Sequence, residues 1–126
     1  MGFRRRRRLV LMVRGEIRLV EFGQALSGES ARRRPAVIVS NDGANSTAAR
    51  LGRGVITVVP VTSNVTRAHP FQVPLPAEAS GLDRDSKAQA EQVRSVSVEH
   101  VQERLGSVPA PLMLELDEAL RVHLAL

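Results

Sequence analysis

The stretch Val55-Ile-Thr-Val-Val-Pro-Val-Thr62 constrains this chain more than any other. β-Branched side chains lose rotamer freedom in a helix and pack well on a pleated surface, so Gly54–Thr62 reads as a strand. Pro60 donates no ladder hydrogen bond, which puts it at a sheet edge or a bulge. Further strands are expected at Gly15–Phe22, with Ile17 and Leu19 on one face, and at Arg34–Ser40, with Pro35 near its start. Phe71–Leu75 and Lys87–Val96 complete the set. Polar connections fall at Gly23–Arg33, Asn41–Arg53 (with room for one helical turn), Ser63–His69 and Pro76–Asp85. The first is long for a hairpin, which points to function. Val98–Arg104 reads as a short helix. Pro111–Leu124 is amphipathic: Leu112, Leu116, Leu120 and Leu124 recur with Ala119 and His123, while Glu115, Asp117, Glu118 and Arg121 face outward. About five strands and a C-terminal helix make the chain mainly β, a small SH3-like antiparallel barrel with the helix against it.

A length of 126 residues suits one domain. There is no cysteine, which excludes disulfides, thiolate metal sites and a cysteine nucleophile and suits a reducing, cytoplasmic setting. No window is apolar enough to span a membrane. Arg4–Arg8 followed by Leu9–Val13 has the look of a signal peptide, but Arg14 ends the apolar part too soon. Residues 1–12 therefore read as a disordered basic leader, and 13–126 as the domain. The net charge is +5 from 18 basic and 13 acidic residues; without the five arginines of the leader, 13 face 13. Bulk charge thus says little about the domain, and local clusters such as Arg32–Arg34 carry the electrostatic argument. With three aromatic residues, Phe3, Phe22 and Phe71, base-stacking platforms are excluded.

Several short segments recur in a telling order: Arg14-Gly-Glu-Ile, Arg34-Pro-Ala-Val-Ile-Val-Ser-Asn-Asp, Val59-Pro-Val-Thr-Ser, Pro70-Phe-Gln-Val, Gly81-Leu, Ala90-Glu-Gln-Val-Arg-Ser and a terminal Leu-Asp-Glu-Ala-Leu helix. In this order the chain resembles the MazF/PemK family over nearly all of 13–126. The resemblance implies a dimeric barrel of the CcdB/PemK type. It also implies sequence-specific, metal-independent cleavage of single-stranded RNA, such as mRNA, and a cognate MazE-like antitoxin with a largely disordered acidic segment. The family's catalytic arginine falls on Arg34 and its threonine on Thr62. Glu29 falls on an acidic loop position used by some members for RNA contact, and Gln92 on a glutamine that contacts RNA. Glu91 falls on an acid proposed elsewhere as proton acceptor. Gln89 and Gly28 stand where some PemK-like members carry an arginine and a histidine, so the Arg/Thr chemistry fits this chain better.

RNA carries its own nucleophile, the 2′-hydroxyl beside the scissile phosphorus, so neither metal nor cofactor is required in principle. A guanidinium offers a planar fork of donors to phosphate oxygens and a threonine hydroxyl can join it, forming an oxyanion-type site. Read alone, Arg34 is equally a solvated arginine of its cluster, and Thr62 a residue at a strand end. Glu91 is a better base than an arginine on pKa grounds; otherwise it is a surface carboxylate paired with Arg94. Arg33, Ser63 and His69, in the loops flanking Arg34 and Thr62, are candidates to read bases. His69 has the plainer reading of a loop residue, and His100 and His123 are expected to be structural. The alternatives to cleavage are a CcdB-like gyrase-poisoning toxin, which uses a tryptophan this chain lacks, and a degenerate, binding-only member.

Overall fold

The computed structural model describes residues 12–23, 32–66 and 69–126. The elements are β1 (Glu16–Glu21), β2 (Arg33–Ile38), α1 (Asp42–Leu51), β3 (Val55–Thr62), β4 (Gln72–Leu75), α2 (Ala77–Ser80), β5 (Ser86–Gln89), β6 (Arg94–Ser97), β7 (Val101–Ser107) and α3 (Ala110–Leu124). Neighbouring strands run β4-β5-β3-β2-β1-β7, with β6 also paired to β3. The expected mainly β fold with a C-terminal helix is present. Its barrel-like sheet is not closed, and among the described residues it has seven strands rather than about five.

The extra strands have physical causes. Lys87–Val96, expected as one strand, is broken by a 3-10 turn at Ala90–Gln92. Its halves pair with different parts of β3: Val61 and Thr62 face Ala88 and Lys87, whereas Val55–Val58 face Ser97–Arg94. The turn lies opposite Val59 and Pro60, so Pro60, paired with Ala36 of β2 on its other flank, sits at an interruption within the sheet rather than at its edge. Val98–Arg104 is not a helix. A 3-10 turn at Val98–His100 leads into β7, which β1 binds antiparallel. The stretch expected as the polar connection Asn41–Arg53 contains the ten-residue helix α1. The Asn41 side chain accepts the Ala44 N–H, and Gly52, in the left-handed region at φ 69°, donates its N–H to Ala48.

Strand alternation divides the core into two clusters on opposite faces of the sheet. Ile17, Val37, Val59 and Val61 pack against Leu116 and Ala119 of α3. Val20, Ala36, Ile38, Ile56 and Val58 pack with Ala48 and Ala49 of α1. Met12 is buried in this second cluster; the expected leader is otherwise residues 1–11, outside the described residues. The inner stripe of α3 is shorter than expected. Leu124 and His123 are exposed, and Asp117 turns back to bind the Arg14 guanidinium at 2.6 Å. Among the described residues no helix is long and apolar enough to cross a membrane.

Candidate active site

Strands β2 and β3 pair with Ala36 opposite Pro60 and Val37 opposite Val59. Carried two residues further, that register sets Arg34 opposite Thr62. Facing residues of an antiparallel pair project to the same side, so the guanidinium and the hydroxyl share a face. On the other flank of β3, Thr62 lies opposite Lys87 of β5, and Gln72 of β4 lies opposite Gln89. Arg34, Thr62, Lys87, Gln89 and Gln72 thus form a polar patch on one face of four adjacent strands, next to the second apolar cluster.

The patch is held by specific bonds. Arg34 Nη2 donates to Gln89 Oε1 at 2.6 Å and to the Val61 carbonyl at 3.3 Å. Burial, and secondarily the charge of Arg32, lower the Arg34 pKa from its usual value. Thr62 Oγ1 accepts the Asn64 N–H at 3.2 Å. That bond uses an oxygen lone pair and leaves the hydroxyl proton for an acceptor on a substrate. Gln72 Nε2 donates to Glu91 Oε2 at 2.9 Å, and its Oε1 accepts the His69 N–H at 3.2 Å. Among the described residues the other Glu91 oxygen, Oε1, is buried with no hydrogen-bond partner. A buried acceptor left without a partner is costly.

The extended β2–β3 register and the Arg34–Val61 bond set Arg34 beside Thr62, and Gln72 ties Glu91 to the same patch. The alternative pairing of Glu91 with Arg94 is not formed; Arg94 instead lies over the Phe22 ring, 5.1 Å from its centroid. His69 is exposed and stacks on Phe71 with centroids 5.2 Å apart. Ser63 is exposed beside Thr62, and Gln92 is exposed on the 3-10 turn. Arg33 precedes Arg34 on the strand and therefore projects from the opposite face. Glu29 lies outside the described residues. His100 and His123 are exposed. Sequence reasoning missed Gln72, Gln89 and Lys87 as members of the patch. Their signal was alternation: Lys87 and Gln89 are polar at every second position of a strand that otherwise carries small residues.

An incomplete barrel with a C-terminal helix has structural counterparts. MazE–MazF from Deinococcus radiodurans superposes with a TM-score of 0.71 at 26% identity, covering 91% of this chain and 97% of that one. A family model described as PemK-like, MazF-like toxin of type II toxin–antitoxin system matches residues 13–124. The chain belongs to this family, which sets aside the CcdB-like alternative. Endoribonuclease MazF9 of Mycobacterium tuberculosis is 55% identical over 116 residues, covering 92% of this chain and 98% of that protein. Endoribonuclease EndoA of Bacillus subtilis is 26% identical over 118 residues, covering 93% and 97%.

Proposed function

We propose that Arg34 and Thr62 grip the scissile phosphate through which this endoribonuclease toxin cuts single-stranded RNA in the cytoplasm, mRNA above all, and so arrests translation. The observation that carries this reading is the β2–β3 register, which sets the two side chains on one face. The RNA 2′-oxygen attacks phosphorus and its proton passes to a base. The bond from phosphorus to the 5′-oxygen breaks, and that oxygen takes up a proton. The products are a 2′,3′-cyclic phosphate and a 5′-hydroxyl end. Arg34 and the Thr62 hydroxyl donate to the non-bridging oxygens, whose charge grows in the phosphorane. Gln89 fixes the orientation of the guanidinium. Glu91 accepts the 2′ proton; its hydrogen bond to Gln72, which ties it to the patch, is the observation behind that role. Ser63, His69, Gln92, Arg33 and Glu29 contact RNA around the cut. Arg33, which leaves the other face, reaches the flanking strand rather than the scissile phosphate.

A cognate antitoxin neutralises the protein. An acidic, extended segment fits an arginine-lined phosphate site, because carboxylates bind the same donors. The working form is a homodimer. Incubation of the protein with a long single-stranded RNA in EDTA tests the reaction. The expected products end in 2′,3′-cyclic phosphate and 5′-hydroxyl at one recurring short sequence. Products with 5′-phosphate ends, or cleavage only when magnesium is restored, refute it.

A further inference from the structure

Lys87 is the only lysine in the chain; the other 17 of its 18 basic residues are arginine. It is also placed where lysine is rare, at 7% exposure within the short strand β5. Replacing even a paired buried cation by an apolar side chain of similar volume is often neutral or stabilising, so a buried lysine invites a functional reason. Its place in the sheet supplies one: Lys87 lies directly across from Thr62 on one flank and from Pro74 on the other. The row Arg34, Thr62, Lys87 crosses three adjacent strands on one face. Facing Cα atoms stand about 5 Å apart, which puts Lys87 about 5 Å from Thr62 and about 10 Å from Arg34 at backbone level.

We propose that Lys87 is a fixed, buried cation of the cleavage site, which stabilises the phosphorane through its field. The proposal rests on the reading of Arg34 and Thr62 as the phosphate grip. A phosphodiester carries one negative charge, and attack by the 2′-oxygen adds to it. A cation already removed from water acts through a lower effective dielectric and needs no reorganisation when that charge appears. Its attraction grows with the charge it faces, so it favours the transition state over the bound substrate. Lys87 thus acts at a distance on the charge that Arg34 and Thr62 touch directly.

The chain has no cysteine, so a Lys87→Cys variant offers a unique thiol. Alkylation with 2-bromoethylamine restores an ammonium at nearly the length of lysine, whereas iodoacetamide leaves a neutral amide. These forms and Lys87→Met are compared with the unmodified full chain, each checked for folding by thermal melting. Single-turnover cleavage is measured on an RNA fragment containing a mapped cut. Binding is measured on the same fragment with 2′-deoxyribose at the cut nucleotide. The neutral forms are expected to bind within about threefold of the unmodified chain but to cleave about 30-fold more slowly, with most of the rate restored by the aminoethyl form. Neutral forms that cleave at the full rate overturn the proposal. So do equal losses of binding and rate, and so do neutral forms that fail to fold, which assign Lys87 to the fold. An unmodified chain that makes no cut overturns the functional reading itself, a result distinct from a loss confined to Lys87.

Discussion

Arg34 holds its charge against its surroundings. Burial and the nearby Arg32 lower its pKa, so the charged form is less favourable in the folded protein than in the unfolded chain. The sign follows: this penalty on the fold is present at every pH where the guanidinium is charged, and lifts only as pH rises through the lowered value. A bound phosphate favours the charged form and offsets the penalty. The uncleavable RNA is therefore expected to raise the melting temperature of the unmodified chain more than that of Arg34→Gln, since binding to the native state stabilises it; equal shifts would count against the phosphate grip. In the proposed mechanism, replacement of Glu91 by glutamine removes the proton acceptor. Glu91→Gln should slow single-turnover cleavage by about 100-fold, whereas an unchanged rate moves the base elsewhere. The family motifs pointed to Arg34, Thr62 and Glu91 one by one. Gln72, Gln89 and Lys87 stayed hidden because their meaning depends on which strands pair, and pairing is a property of register rather than of local composition.

Among the elements, α1 and the β5–β6 break were least legible in the sequence, and for different reasons. Asp42–Leu51 contains Gly, Asn, Ser and Thr, which compete with helical bonding, so periodicity gave little signal. Its caps, Asn41 and Gly52, are the signal that could have marked it. Asn41→Ala should cost about 1 kcal/mol of stability, visible in chemical denaturation, while leaving the cleavage rate within about twofold because α1 does not touch the patch. A loss of activity larger than the loss of stability would tie α1 to the chemistry. The β5–β6 break was invisible because no glycine or proline interrupts Lys87–Val96; the choice of two partners along β3 is what divides the halves. By contrast, α3 was read nearly to its ends, since Leu116 and Ala119 follow its own period. At Gly106 in β7, a methyl group added at Cα would stand 2.2 Å from the Ser80 carbonyl oxygen. Gly106→Ala should therefore destabilise the protein by about 1–3 kcal/mol, measured by urea unfolding; a neutral result would mean that α2 yields easily.

For the molecule as a whole, the sheet and its helix leave apolar side chains exposed, Leu114 at 70% and Val122 at 68% among them. A chain of this size has a small stability margin, and a second copy would add buried surface. Sedimentation equilibrium at micromolar concentration is expected to give twice the chain mass; a monomer across that range would exclude the homodimer as the working form. The fold class was legible because β-branched runs, polar connections and a terminal amphipathic helix agree with one another. The unclosed sheet and its extra strands were not, because they depend on long-range pairing. The phosphate grip is tested most directly by cleavage of one mapped RNA, in EDTA, by the unmodified chain, Arg34→Ala and Thr62→Ala side by side. Each variant is expected to stay folded and to lose about 10²–10³-fold in single-turnover rate, the effect of removing one oxyanion donor. Either variant cutting at the unmodified rate would contradict the grip.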